Sequence, residues 1–599
     1  MCETKNLIRF ELLMDAGHGA QKAGDILIKS FAAAGKYVYI EPMIPAEISP
    51  PPRTKNSLSG VIIRLANWDI TNIGNDTDVM LAEHEVLLDR RLEDGEYNPN
   101  CIVLLDMGLQ ARNKETYDAV LEKVRVANLR FIPFELDAES AGMIRELKGH
   151  GRNMFYLGML SAIFNADLDG LQSLISKTFK FNPDSLQKNL KIFTNGLAYA
   201  QANIDISYQI PAGPREQDMM LLDGNMALSL GIIDSGIKLF SGYPITPASS
   251  IMHTLAKLFP SYGGVVHQAE DEISAIGTVV GSYYAGVPAI TATSGPGFSL
   301  KQEFIGLATA SETPLICIDV QRGGPSTGLP TKTEQSDLLA AIYGSHGDNA
   351  KVVIGVSNVR DCFYAPHIAR YLTEKLRVPV MIMSDYQISV SYKVLEKLPL
   401  NEMTSVDDIG QYVFDRFFMN PLPEGIEMVK DNQSVPGQDG QMRRVTGLNT
   451  DQEGQITYTS DSSVRAHSIR NEKLHHVARS LRTPEMFGHT AGGEVLVVGW
   501  GSSRGAIEEA ISMAAAEGLP VAGLHLKIVY PLSLELQEIF SRFKKVVTVE
   551  VAYGDALKSA PLAMLLRDET LVDIKSLIAE PSGRPLKPRK ILNLVKEIL

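Results

Sequence analysis

Between about residues 218 and 400 the chain repeats one pattern: a short apolar run, a loop rich in Gly and Pro, then a stretch with helical spacing of apolar residues. The runs GIKLFSG, GGVVHQA, VPAITAT, TPLICIDV, AKVVIG and RVPVMIMS are nearly continuous in apolar character, as strands buried on both faces must be. Strands alternating with helices at this pitch specify a parallel sheet covered on both sides. In such sheets the working residues gather where strands end and helices begin. This one feature therefore restricts both the fold and the place to look for a site.

Similar alternation flanks this region. LIRFELLMDAGHGAQKAGDILIKSFAAAG reads as strand, glycine turn and helix, with further strands at Tyr37–Ile40, Gly60–Arg64 and 101–108, so the first region is expected to be an open, largely parallel α/β fold. A polar connector from Asn203 to Asp218 follows. Beyond Gly492, EVLVVGW, LPVAGLHL and KKVVTVEV alternate with helices near 503–517 and 555–566. The segment 401–488 is polar, lacks sustained periodicity and reads as a long insert or linker. The expected organisation is three α/β domains at 1–200, 201–400 and 489–599, which suits 599 residues at roughly 150 per domain.

Charge and cysteine usage narrow the function. Lys+Arg 57 against Asp+Glu 70 gives a net charge of -13 with no basic cluster, which disfavours nucleic acid. Cys2, Cys101, Cys317 and Cys362 lie far apart, and no Cys or His spacing suits a zinc or iron–sulfur site, so no metal ligands are expected in this chain. No apolar run reaches the ~18 to 20 residues of a membrane span, and the start lacks the plan of a secretory signal, so a cytoplasmic location is expected.

Four successive strand ends carry chemistry. In Gly242-Tyr243-Pro244-Ile245-Thr246-Pro247 two prolines stiffen the loop that bears the Thr246 hydroxyl; an ordinary proline-ruled turn with Thr246 near a helix cap is the plainer alternative. His267-Gln-Ala-Glu270-Asp271-Glu272 opens a helix of small and apolar residues. All three acids suit a first helical turn, but Glu272 is the one followed by a closely packing face. Ser294-Gly295-Pro296-Gly297 offers a glycine turn before a helix. Gln321-Arg322-Gly323-Gly324 sets an arginine among glycines, able to grip a carboxylate at two points or to serve in an ion pair. Together these suit a cleft for an anionic oxo compound.

GYPITPASS, HQAEDEISAIG, SGPGFSLKQEFIGLA and QRGGPSTGLPTKTEQSDL together resemble the α subunit of the 2-oxoacid:ferredoxin oxidoreductases, and the resemblance continues through YGSHGD at 343–348. VVGWGSSRGAIEEA and VVTVEVAYGDA are similar to the family's transketolase C-terminal-like domain, while GHGAQKAG and EPMIPAEI resemble its γ subunit, fused upstream. The resemblance implies a pyrimidine-binding domain for thiamine diphosphate. Glu272, with Glu270 as the alternative, matches the glutamate that hydrogen-bonds the aminopyrimidine N1′. Thr246 and Arg322 match substrate-binding positions, the arginine receiving the 2-oxoacid carboxylate, with Tyr243 and Ser294 as further candidates. It also implies oxidative decarboxylation of a 2-oxoacid with CoA as co-substrate and ferredoxin as acceptor. The γ-then-α order points to 2-oxoglutarate and succinyl-CoA, with pyruvate or a branched-chain 2-oxoacid as alternatives. Mg2+, the diphosphate anchor and a [4Fe-4S] cluster would belong to a separate β subunit, in an (αβ)2 assembly. A dinucleotide-binding dehydrogenase using residues 17–24 is a remote alternative, since Lys22 occupies the third glycine position of that fingerprint.

Overall fold

A computed structural model describes residues 2–47, 49–108, 114–215, 217–430, 434–439 and 444–599. Ile48, which closes the EPMIPAEI motif, and positions 431–433 and 440–443 of the polar segment lie outside the described residues. The chain divides into two compact units, Met1–Leu222 with Ser391–Lys397, and Asp223–Val390 with Leu398–Leu599.

The first unit is built on an eight-stranded sheet in the order Arg130–Phe134, Tyr97–Asp106, Thr77–Ala82, Leu7–Asp15, Leu58–Ala66, Tyr37–Met43, Tyr392–Glu396 and Met219–Leu222. Its first four strands are parallel and every later pairing is antiparallel. The largely parallel sheet expected from sequence is therefore corrected to a mixed one. Leu58–Ala66 runs antiparallel to both of its neighbours, and apolar runs look alike in either direction. The glycine turn after Leu7–Asp15 needs its glycines, because Gly17 and Gly19 hold φ of 86° and 90° before the helix Ala20–Ala33 begins. The polar connector is not wholly irregular: Ser207–Gln209 pairs in parallel with Cys2–Thr4.

The second unit contains a seven-stranded sheet in the order Val265–Gln268, Leu239–Gly242, Ala289–Thr293, Leu315–Gln321, Pro379–Asp385, Val352–Gly355 and Ile528–Tyr530. The six strands read from the repeating pattern are all parallel; the seventh comes from the C-terminal region and is antiparallel. A second sheet carries Glu485–Gly488, Val521–Leu526, Gly493–Trp500, Phe543–Glu550 and Ile574–Ala579. One hydrophobic cluster serves both sheets, joining Ile276, Phe298 and Leu315 to Trp500, Leu526 and Leu566. Trp500 is fully buried, and Gly355 makes room for it: a Cβ there would stand 3.0 Å from the indole.

The polar segment contains a helix of 21 residues, Ser460–Ser480. Its buried stripe is Ala466, Ile469, Arg470, Lys473, Leu474 and Val477, so two basic residues interrupt the apolar period and hide it. Lys473 Nζ meets Glu312 at 2.5 Å with both side chains 1% exposed, and the same carboxylate accepts the Val429 and Lys430 N–H groups. Among the described residues no helix is long and apolar enough to cross a membrane.

Candidate active site

The four strand ends singled out in the sequence lie on adjacent or near-adjacent strands of the parallel sheet, and each is held by a local device. The Thr246 turn is tied to the helix Gly224–Asp234 by buried Asn225, whose amide donates to the Pro247 carbonyl at 2.9 Å and to Ser250 Oγ at 2.7 Å. Thr246 itself is exposed, as is Tyr243. The Thr246 carbonyl accepts Arg322 Nη1 at 2.6 Å, which connects the first and fourth loops.

Asp271 caps the helix Glu272–Tyr284 by accepting the Ser274 N–H at 2.7 Å. That cap turns Glu272, the first helical residue, inward to 8% exposure and leaves Glu270 exposed. Gly295-Pro296-Gly297, expected as a glycine turn before a helix, instead form the first turn of the helix Gly295–Leu300, capped at Ser294, and this turn closes over the Glu272 carboxyl. A Cβ at Gly297 would lie 2.7 Å from Glu272 Oε1 and would collide with Thr293 Oγ1, so only glycine permits this approach. Ser294, the N-cap of that helix, is fully buried and its hydroxyl has no protein partner, which leaves a polar atom for a ligand to satisfy. Lys301, also fully buried, donates Nζ to the Glu272 carbonyl at 2.9 Å and to Thr291 Oγ1 at 3.3 Å, fixing the helix start; burial pulls its ammonium below the usual lysine range.

Arg322 is 8% exposed, and its Nε is buried without an acceptor. A guanidinium with one edge spent on a carbonyl and its Nε unmatched is prepared for an oxyanion. The loop after it is clamped to the C-terminal sheet by Gln335, whose amide donates to the Trp500 carbonyl and whose oxygen accepts the Val551 N–H. Beneath Arg322 lie Asp319 and Asp337, both raised above the ordinary aspartate range, chiefly by burial.

Close approaches thus link Glu272 to Gly297, Asp337 to Gly295 and Arg322 to Thr246, with Asp337 acting on Arg322 through its charge, while Tyr243 stays at the exposed rim. Sequence reasoning missed Lys301, Asp319 and Asp337. For Asp319 a signal existed, the lone acid inside the apolar run TPLICIDV; for Asp337, in a polar loop, there was none. The orphaned Ser294 hydroxyl, the inward carboxyl and the glycine that lets backbone close on it fit an aminopyrimidine with polar ring nitrogens, the part of thiamine diphosphate expected here.

The first unit has a polar cluster of another kind. At its glycine turn, Asp15, His18 and Glu83 bring ligand-type atoms within 4.8 Å of one another. Their contacts are already taken: Glu83 faces His18 Nδ1 at 2.8 Å and the Asp15 N–H at 2.8 Å, and Asp15 accepts from Ser57 and the Arg53 N–H. Hydrogen bonding to Glu83 raises the His18 imidazole above its ordinary range. Two carboxylates at this turn repel the diphosphate of a dinucleotide, which weighs against the dehydrogenase alternative.

Residues 15–199 match the family described as pyruvate ferredoxin/flavodoxin oxidoreductase, and residues 231–468 match its thiamine diphosphate-binding part. The chain is 32% identical over 587 residues to the 2-oxoglutarate oxidoreductase subunit KorA of Mycobacterium tuberculosis, covering 94% of this chain and 87% of that one. It is 33% identical to the 2-oxoglutarate synthase subunit KorA of Methanothermobacter thermautotrophicus, covering 62% of this chain and 97% of that one. Among solved structures, the 2-oxoglutarate:ferredoxin oxidoreductase of Magnetococcus marinus, determined with 2-oxoglutarate, coenzyme A and succinyl-CoA bound, superposes with a TM-score of 0.83 at 30% identity over 99% of both chains. With these likenesses spanning nearly its whole length, and with the strand-end loops as described, the chain belongs to the 2-oxoacid:ferredoxin oxidoreductases as an α-type subunit.

Proposed function

We propose that this chain, a γ-type unit followed by an α-type unit, is one subunit of a 2-oxoglutarate:ferredoxin oxidoreductase. The enzyme converts 2-oxoglutarate and CoA to succinyl-CoA and CO2 and passes the two electrons singly to ferredoxin. The observation that carries the reading is the pairing, at strand ends of one parallel sheet, of the inward Glu272 carboxyl under Gly297 with the unmatched Arg322 Nε. The choice of 2-oxoglutarate among 2-oxoacids follows the relatives' own names.

Thiamine diphosphate, when bound, supplies the electron sink that decarboxylation of a 2-oxoacid needs. This chain's residues do the rest of the positioning. Glu272 would face the aminopyrimidine N1′ and hold a proton there at its carboxyl oxygen, a task that suits a carboxyl shielded from water. Arg322 takes the 2-oxoacid carboxylate through Nε, while its Nη1 bond to Thr246 keeps the fork in place. The Thr246 hydroxyl orients a substrate oxygen, with Ser294 and Tyr243 lining deeper and outer positions.

Electron transfer and the diphosphate anchor are assigned to a β partner carrying Mg2+ and a [4Fe-4S] cluster, in an (αβ)2 enzyme. Cys101, Cys317 and Cys362 are buried and their thiols are pushed up by burial, Cys317 to about 12, so they are poor thiolate ligands. The test is to assemble the chain with its β partner and measure ferredoxin reduction on 2-oxoglutarate, pyruvate and 2-oxoisovalerate. CoA-dependent turnover highest on 2-oxoglutarate is expected; preference for either competitor removes the substrate assignment, and cluster iron bound to this chain alone removes the division of labour.

A further inference from the structure

Asp319 is the acid in the strand Leu315–Gln321, at the register of Thr293 on one neighbouring strand and Met383 on the other. It is fully buried, and neither of its carboxylate oxygens meets a protein donor. An ionised carboxylate left this way in a protein interior is costly. The group in hydrogen-bond contact with it is a second carboxyl, Asp337. Asp337 is held there from two sides: its N–H is bonded to Gln321 Oε1 at 3.2 Å, and its Oδ2 fills the space where a Cβ on Gly295 would stand, 2.7 Å away. Two carboxyls in this relation are joined only if a proton lies between them. Arg322 follows three residues after Asp319 on the same strand end, with its Nε unmatched.

We propose that Asp319 and Asp337 hold one proton between them and act as positioning residues for Arg322, placing a single negative charge behind the guanidinium where two ionised aspartates would place a pair. This rests on the reading of Arg322 as the anchor of the 2-oxoacid carboxylate. A doubly ionised pair would draw the guanidinium back and repel the incoming anion; a pair with one proton holds the guanidinium in line and leaves it free charge to offer. The other groups acting on the pair are few. Glu334, on the loop leading to Asp337, adds negative charge, and Arg322 adds positive charge. Cys317, two residues earlier on the strand, is a thiol pushed up to about 12. The adjacent strands present uncharged Thr293 and Met383. Burial raises both aspartates, so the pair keeps a proton to higher pH than a free aspartate would and gives it up as pH rises further.

The experiment uses the assembled enzyme and follows KM and kcat for the 2-oxoacid as pH rises. In the unmodified enzyme KM should climb about tenfold per pH unit once the shared proton leaves, with kcat changing far less. D319N and D337N each replace the proton-bearing carboxyl by an amide donor, and should abolish that climb. D319A should raise KM about tenfold at neutral pH through lost support for the guanidinium, and D319N should recover most of that loss. Retention of the climb in both Asn variants overturns the proposal, as does a D319A enzyme with unaltered KM and profile. R322A separates the two readings. An unchanged KM there overturns the anchor itself, whereas a raised KM together with an undiminished climb in D319N and D337N overturns the shared proton alone. Thermal melting of each variant verifies folding, and the isosteric Asn replacements keep the test decisive if D319A fails to fold.

Discussion

The buried acids of the first unit and those of the second both lie on sheet strands, Glu11 midway along Leu7–Asp15, Asp106 at the end of Tyr97–Asp106 and Asp319 within Leu315–Gln321, yet they are finished differently. In the first unit Glu11 is fully buried and accepts from Arg91 at 2.7 and 2.8 Å, from Arg9 at 3.2 Å and from Thr77. Asp106 accepts from Arg152 at 2.5 Å, Tyr156 at 2.6 Å and the Gly108 N–H at 2.9 Å. Coulombic attraction and hydrogen bonding from Arg91 outweigh burial and hold Glu11 below the usual carboxylate range, whereas burial wins at Asp106 and raises it. In the second unit the carboxylate oxygens of Asp319 lack such donors, and Ser294 Oγ and Arg322 Nε have no partner, whereas in the first unit Glu11 and Asp106 are satisfied although Arg9 Nε is not. A closed network fixes a fold, because removing one member strands the others; an open one marks where a ligand completes the set.

The sharpest way to break this contrast is E272Q. It should cut turnover by about 10²- to 10⁴-fold, the usual range for a positioned proton-transfer group, while the melting temperature stays close to that of the unmodified chain. A large fall in stability with modest kinetic loss would move Glu272 into the same class as Glu11. The converse is E11A, which removes the carboxylate shared by Arg91 and Arg9, leaves them only Asp94, Glu96 and the Asn75 carbonyl, and should cost about 3 kcal/mol by denaturant unfolding. A cost below ~1 kcal/mol would show that this network is dispensable.

Glu550 sharpens the comparison from within the second unit. Burial raises its carboxyl to about 7 although it accepts the Leu562 and Ala563 N–H groups. Its folded value lies above its unfolded one, so its stabilising contribution is whole below about pH 4.5 and is lost as pH rises through about 7, amounting to about 3 kcal/mol at most. E550Q should flatten stability against pH across that window; an unchanged slope would refute the assignment. The smallest effect belongs to T246V. Loss of one neutral hydroxyl contact should reduce kcat/KM about three- to tenfold, and a larger loss would assign that hydroxyl more than orientation.

How far the chain was legible depended on how local each feature was. The six parallel strands of the second unit were readable because continuous apolar runs between glycine and proline loops admit few other folds. Thr246 and Arg322 were visible as candidates because each stands in a Pro- or Gly-ruled loop at a strand end, and Glu272 because it opens a helix of small and apolar residues there. The mixed order of the first sheet was not legible, since Tyr392–Glu396 enters it from more than 300 residues beyond the neighbouring strand Tyr37–Met43. Nor was the helix Ser460–Ser480, whose buried stripe includes a lysine that makes sense only once Glu312 is beside it.

By itself the sequence determined the alternation of strands and helices and the chemistry placed at each strand end, because both follow from short-range spacing. Tertiary structure alone decided which acids are closed by arginines and which remain open, and brought Asp337 against Asp319 and Gly297 onto Glu272. The reason is physical: a side chain's charge state and availability depend on what is packed around it, and those neighbours come from distant parts of the chain.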